Sequence, residues 1–147
     1  MAKSSEQAAT ADELQDELRD LLSLAVVGDH VRWVLVGDQV SGMTQWLANA
    51  AGQWRECADQ VAKRLVELGV APDGRLRSLV KDIPLNWVPD GWLELDEVQG
   101  LIGDRLSKLA GWATARRSQA TDPRTVQVLD AVCSCLEVQV ATFRAAT

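Results

Sequence analysis

Five positions in the first half of the chain have the spacing of a binding site without its usual residue types. The stretch RWVLVGDQVSGMTQWLA contains Arg32, Thr44 and Ala48, and DQVAKRLVELG places Asp59 four residues before Lys63. Residues four apart on a helix are neighbours, so Asp59 and Lys63 can pair there. Only one of the five side chains is a carboxylate and none is an imidazole. Transition metals and acid–base chemistry mostly use those two groups, so the pattern indicates neither.

The composition is typical of one globular domain. The 147 residues are 47% hydrophobic and 24% charged, enough for a sizeable core. The net charge of −6 and the single His oppose DNA binding by the whole surface and exclude a metal site built from several His. The chain has no long apolar run free of charge and no apolar N-terminal stretch, which predicts no membrane span and no secretion signal.

The three cysteines are Cys57, Cys133 and Cys135. An odd, sparse count without a secretion signal is typical of free thiols in a reducing cytoplasm. Cys133 and Cys135 are two apart on a predicted helix and therefore point to different sides. The sequence predicts a cytoplasmic protein in which these thiols fill space rather than act as a metal or redox pair.

The spacing of apolar residues predicts four long helices. The first is expected from Thr10, in capping-box spacing with Glu13, to about Val36. The others are expected at 40–68, at 93–119, and from Pro123 almost to the C-terminus. A proline-containing crossover with a short helix at 75–81 separates the second long helix from the third. This order predicts an all-α, ferritin-like four-helix bundle at 10–147, preceded by a flexible tail at 1–9.

Several segments resemble the Dps family, the ferritin-like proteins of starved bacterial cells. RWVLVG is similar to the family's H-W-x-x-x-G, and DQVAKRLVELG to its D-x-x-x-E-R-x-x-x-L-G. IPLNWVPDGW lies where the family has its threonine–proline crossover, and DPRTVQVLDAV resembles the start of its last helix. The resemblance implies a hollow dodecamer that oxidises ferrous iron with peroxide and stores the product. It also implies DNA binding, which many members show.

The resemblance further implies which positions would hold iron between two subunits. The family's first-helix His falls at Arg32, its second-helix His at Thr44, and the Asp four residues later at Ala48. The first acid of D-x-x-x-E is retained as Asp59, whereas the Glu is Lys63. Because iron needs imidazole and carboxylate ligands, the sequence predicts a lost oxidation site with no catalytic residue and no cofactor. Iron binding is expected only through other acidic residues.

A salt bridge between subunits is the predicted replacement for the metal. In the family geometry, Arg32 of one subunit faces the partner subunit's Asp59 and Lys63, and a guanidinium can grip a carboxylate with two hydrogen bonds. Trp33 is expected at the same interface. The alternative is that these charges are solvated on separate helix faces.

Three functions are compatible with this sequence. The first is a non-catalytic Dps-like shell, a dodecamer of this chain or a mixture with a paralogous Dps subunit, in a structural or nucleoid-associated stress role. The second is an iron store that uses acidic residues of the interior. The third is a protein-interaction module that uses the crossover carrying Trp87 and Trp92.

DNA contacts would require local clusters of cations, because the net charge is negative. Repetition of such clusters around a shell would make the contacts multivalent. Solvated helix ends are the alternative explanation. The candidates are Arg75, Arg77, Lys81, Arg116, Arg117 and Arg124.

Overall fold

The computed structural model of the chain describes residues 2–81 and 87–146, with side chains from Ser5 onward. Over these residues it contains five helices and no strand: α1 (Ala2–Val34), α2 (Ser41–Glu67), α3 (Leu76–Leu79), α4 (Leu95–Gln119) and α5 (Pro123–Phe143). The main packing pairs are α1 with α2, α4 with α5, and α2 with α5. The predicted all-α four-helix bundle, with a crossover carrying a short helix, is confirmed.

The core is built from the apolar stripes that the sequence predicts. Leu14, Leu18 and Leu21 of α1 are buried. The α2 stripe is buried around Trp54, a side chain with no solvent exposure. The indole Nε1 of Trp54 donates a 2.6 Å hydrogen bond to Oε1 of the buried Gln139 on α5. The largest apolar side chain of the centre therefore has a partner for its only polar atom.

Helix ends follow local sequence chemistry. Asp122 caps α5, because its carboxylate accepts a 3.0 Å hydrogen bond from the backbone N–H of Thr125, and Pro123 occupies the first turn. Gly69 has a positive φ of +79° just beyond α2, a conformation that glycine adopts without strain. The backbone N–H of Val70 then bonds the carbonyl of Leu65 at 2.9 Å and closes the helix end.

Both ends of α1 differ from the sequence prediction. The helix begins at Ala2, so Thr10 lies inside it and forms no capping box with Glu13. Residue 10, the predicted boundary between a tail and the first bundle helix, therefore lies within a continuous helix. The flexibility of residues 1–9 stays a prediction. At the other end, Leu35 leaves the helix to form an isolated parallel bridge with Leu93, and α1 stops at Val34 rather than Val36.

The crossover is attached to the bundle at three places. The short helix α3 packs on α1, with Leu79 buried; it spans fewer residues than the predicted 75–81. The guanidinium carbon of Arg105 on α4 lies 5.6 Å from the ring centre of Trp87 and 5.4 Å from that of Trp112. The Leu35–Leu93 bridge holds the far end. Residues 83–86 of the Dps-like segment IPLNWVPDGW lie outside the described residues.

Within the described part of the chain, α5 alone has the length and composition of a possible membrane span, with a mean hydropathy of 1.4. One third of that window is buried inside the bundle, and its exposed side carries Asp130 and Glu137. A core helix of a globular bundle passes the same test, so the prediction of no membrane partner stays a prediction.

Candidate functional site

Arg32 belongs to an ion cluster within its own chain. Its Nε lies 3.1 Å from Oδ1 of Asp29, one turn earlier on α1, and Arg55 of α2 pairs with the other oxygen of the same carboxylate. Although partial burial opposes it, hydrogen bonds from Arg55 and Arg32 lower the pKa of Asp29. The carboxylate that pairs with Arg32 within the chain is therefore Asp29, which the sequence analysis missed. The i,i+3 spacing of Asp29 and Arg32 was the available signal.

Asp59 and Lys63 are exposed on successive turns of α2. Asp59 lines a groove of about 390 Å³ between α2 and α5, together with Glu56 and Val128. Within one chain, the structure thus does not bring Asp59 to Arg32, whose ion pair is with Asp29. The predicted pairing between subunits stays a prediction, since it involves a second chain.

The other two family iron positions carry no ligand chemistry. The hydroxyl of Thr44 donates a 3.1 Å hydrogen bond to the carbonyl of Val40, the residue just before α2. Ala48 has only a methyl group. Within the described residues of one chain, no three His, Cys, Asp or Glu side chains form a group that could hold a metal ion. The donor set at these positions does not fit iron.

Large apolar side chains are exposed around the Leu35–Leu93 bridge. Trp33 is 64% exposed at the end of α1, and Trp92 is 72% exposed just before the bridge. The guanidinium carbon of Arg32 lies 5.5 Å from the ring centre of Trp33. Trp33 therefore packs on its neighbouring cation rather than in the core. Because Trp92 is exposed, it does not anchor the crossover to the bundle of its own chain.

A buried charge cluster is the main feature that the sequence analysis missed. Glu17 on α1 has no solvent exposure, and Arg116 on α4 reaches it at 3.1 Å through Nη1. The same nitrogen lies 2.7 Å from Oδ2 of Asp20, and Nε lies 3.6 Å from Glu13. Oε2 of Glu17 has no hydrogen-bond partner among the described residues. In the sequence, Glu17 and Asp20 adjoin the apolar stripe of α1. That position was the available sign that their carboxylates are buried.

Burial controls the protonation of this cluster. It raises the pKa of Glu17 to about 7, against the opposing attraction of Arg116. Burial also raises the pKa of Asp20, again opposed by Arg116. Since the side chain of Arg116 is only 14% exposed and pairs with three carboxylates, a phosphate could bind it only by breaking these contacts. Its proposed role in DNA contact is therefore unfavourable.

The remaining DNA candidates lie on the surface, and several are already paired. Arg75 contacts Asp73 at 2.9 Å, whereas Arg77 and Lys81 are exposed on the same segment. Arg117 pairs with Asp130 of α5. Arg124 contacts Glu67 at 3.0 Å, so the cation clusters are interspersed with carboxylates.

Comparison with known proteins supports one group of relatives. A family model described as the ferritin-like domain matches residues 11–145. The "DNA protection during starvation protein" of Mycolicibacterium smegmatis is 34% identical over 89 residues, which are 60% of this chain and 47% of that protein. The "fine tangled pili major subunit" of Haemophilus ducreyi is 35% identical over 71 residues, 48% of this chain and 38% of that protein. The matches thus span half or less of these curated relatives.

Solved structures share the fold over almost the whole chain. Dps92 from Deinococcus radiodurans has a TM-score of 0.89 at 22% identity, covering 96% of this chain and 87% of that one. The tetragonal form of Mycobacterium smegmatis Dps has a TM-score of 0.88 at 22% identity, with the same coverage. At this identity the likeness concerns the fold. With the sequence matches, it confirms the resemblance to Dps proteins.

Proposed function

The chain belongs to the ferritin-like domain family, and from this premise we propose that it is a non-catalytic Dps-like protein that assembles into an oligomeric shell. Its role would be structural or nucleoid-associated, in protection under stress. The subunits would be twelve copies of this chain, or a mixture with a paralogous Dps subunit. DNA is the candidate partner outside the shell.

The observation that carries the non-catalytic role is the ion cluster at Arg32. The single carboxylate of Asp29 pairs with both Arg32 and Arg55 within the chain, so the cluster keeps a net positive charge and a permanent cation occupies the position of the first iron ligand. A ferrous ion near this guanidinium would meet repulsion and no imidazole. Thr44 and Ala48 add no anionic donor, which leaves Asp59 as the one carboxylate at the five positions.

The exposed residues support an interface near the same place. Arg32 stacks on the exposed Trp33. Trp33 and the exposed Trp92 adjoin the Leu35–Leu93 bridge, so large apolar side chains are concentrated at this end of α1. Arg32 uses Nε for Asp29, which leaves its terminal nitrogens for the partner subunit's Asp59. The net stabilisation from such a pair is small where it is desolvated. Its proposed role is therefore to fix the orientation of the two subunits.

An anaerobic ferrous titration of the assembled particle tests the proposal. Light scattering first establishes the particle mass, which should be near twelve times the 16.0 kDa of one chain. We then expect no saturable ferrous binding, and after peroxide no ferric absorbance above a protein-free control. Saturable binding with fast peroxide-dependent oxidation would overturn the non-catalytic role. A particle no larger than a dimer would overturn the shell and favour the interaction module with its exposed Trp92.

Iron storage without an oxidation site is the second candidate. The α2–α5 groove contains two exposed carboxylates, Glu56 and Asp59, one turn apart. Carboxylate oxygens can ligate iron without imidazole, so this pair is the candidate site for iron loading. This function would be favoured if the particle loads iron slowly and the double variant Glu56→Gln/Asp59→Asn does not.

A further inference from the structure

Two thiols meet at the contact between α2 and α5. Cys57 lines the α2–α5 groove together with Val132 of α5. Cys135, one turn after Val132, has its sulfur 3.9 Å from Oε1 of Gln53, one turn before Cys57 on α2. Both residues are half-buried, and neither forms a disulfide here. In the sequence, the cysteine nearest to Cys135 is Cys133. The structure instead gives Cys135 a partner on another helix, 78 positions earlier.

The surroundings of the pair allow a small oxidant to approach. Cys57 lines the groove of about 390 Å³ between α2 and α5. Cys135 is itself partly exposed to solvent. The interaction between the two thiols raises the pKa of Cys57, with burial adding to the effect, and lowers the pKa of Cys135. Cys135 is therefore the better nucleophile of the two.

Cys133 differs from this pair in exposure and direction. It is buried, and burial raises the pKa of its thiol. Two residues on a helix are separated by about 200° around the axis, so Cys133 and Cys135 point to different sides of α5. Cys133 is the natural control thiol in the same chain.

We propose that Cys57 and Cys135 form a reversible disulfide within one chain when the protein meets hydrogen peroxide. The Cys135 thiolate attacks one peroxide oxygen, the O–O bond breaks, and the leaving hydroxide takes a proton from solvent to become water. Cys135 is then a sulfenic acid. The sulfur of Cys57 attacks the Cys135 sulfur, the S–O bond breaks, and the Cys57 proton leaves with the hydroxide as a second water. Two thiols and one peroxide give one disulfide and two waters.

Peptide mapping of the Cys133→Ser protein tests this assignment. The full-length, reduced and desalted particle is treated with a small molar excess of hydrogen peroxide and alkylated in denaturant. Trypsin releases residues 56–63, which contain Cys57, and residues 125–144, in which Cys135 is the only cysteine of this variant. We expect these two peptides joined by a disulfide that dithiothreitol breaks, with chains that remain monomeric on a non-reducing denaturing gel.

Two further variants separate the roles of the thiols. In Cys57→Ser/Cys133→Ser, the sulfenic acid of Cys135 has no resolving partner, so a dimedone-type probe should label Cys135 more strongly. In Cys135→Ser/Cys133→Ser, Cys57 should stay alkylatable at the same peroxide dose. Helical circular dichroism and particle mass confirm that each variant folds and assembles.

Two outcomes would overturn the proposal. One is full alkylation of both Cys57 and Cys135 in the folded Cys133→Ser protein after peroxide. The other is a linkage between two chains, seen as a dimer on the non-reducing gel. Neither outcome depends on iron chemistry, so failure of this proposal can be distinguished from failure of the proposed shell function.

Discussion

The guanidinium of Arg116 on α4 lies 3.1 Å from the carboxylate of Glu17 on α1, a side chain with no solvent exposure. This contact joins two helices that otherwise touch little. Removal of charges from water opposes folding, and only good partner geometry offsets it. Here one Glu17 oxygen has no hydrogen-bond partner in the described part of the chain, so the charged form of Glu17 is incompletely compensated.

The first prediction concerns the pH dependence that Glu17 gives to stability. Burial raises the pKa of Glu17 from its ordinary value of 4.5 to about 7 in the fold. Between about pH 4.5 and pH 7, the folded protein therefore holds a proton on Glu17 that the unfolded chain has lost. Its stabilising contribution is complete below pH 4.5 and is lost as the pH rises through about 7. The loss should be on the order of 3 kcal/mol, because one pKa unit corresponds to about 1.4 kcal/mol.

Glu17→Gln imitates the protonated side chain and removes this dependence. Urea unfolding at fixed protein concentration, repeated from pH 4.5 to pH 8, should show the variant gaining stability relative to wild type as the pH rises. Wild type and variant curves that stay parallel would show that Glu17 keeps an ordinary carboxyl pKa in the fold.

A second prediction comes from the close approach of α1 and α2. A Cβ atom at Gly28 would lie 2.7 Å from Cζ3 of the buried Trp54 ring, which cannot move aside easily. Gly28→Ala should therefore destabilise the fold by about 1–3 kcal/mol. Gly52→Ala is the matched control, since Gly52 is helical, exposed and has open space at its Cβ. That change should stabilise by about 0.5–1 kcal/mol, and equal effects of the two changes in thermal unfolding would contradict the steric explanation.

The sequence predicts the helices well where local chemistry sets their limits. Asp122 with Pro123 starts α5 and Gly69 ends α2, because capping bonds and positive φ values depend on adjacent residues. The end of α1 was misplaced because a distant strand-like contact, Leu35 with Leu93, competes with the helix. No local pattern in residues 32–36 encodes that competition.

The candidate site shows the same division between local and distant information. The Asp29–Arg32 pair lies within one helical turn and could have been read from spacing. Arg116 reaches Glu17 across 99 positions of the chain, and Cys57 reaches Cys135 across 78. Such pairings arise from the way the helices pack, so only a three-dimensional structure places them.

A third prediction tests the cap of α5. The Asp122 carboxylate accepts hydrogen bonds from the backbone N–H and the hydroxyl of Thr125 at 3.0 and 2.9 Å, and it also pairs with Arg64 of α2. These hydrogen bonds lower the pKa of Asp122, the one from the Thr125 backbone most. Asp122→Ala should cost about 0.5–2 kcal/mol near neutral pH. Thr121→Ala, at the exposed neighbouring position, should change stability little.

The Asp122 effect should have the opposite pH trend from that of Glu17. A lowered pKa means that the stabilisation is complete above about pH 3.8, the ordinary value, and is lost as the pH falls through the folded value. The difference between wild type and Asp122→Ala should therefore shrink in acid. A constant difference down to pH 2.5 would mean that the charge of Asp122 plays no part in the cap.

The last prediction tests the proposed contact between Arg32 and the partner subunit's Asp59 by charge exchange. Arg32→Glu and Asp59→Arg each place like charges together at the proposed interface, so each should weaken subunit association at least tenfold. The double variant restores opposite charges and should recover much of that loss. Sedimentation at graded protein concentration measures the association.

Two controls make this exchange specific to the pair. Asp29→Asn removes the partner that Arg32 has in its own chain but reverses no charge at the interface. If disruption of the internal cluster alone weakens subunit association, Asp29→Asn should weaken it as well. Lys108→Glu changes an exposed cation on α4 and matches the charge change of Arg32→Glu. If the double variant loses as much association as the sum of the losses in the two single variants, Arg32 and Asp59 do not meet. The charges of α1 and α2 would then be solvated on separate helix faces.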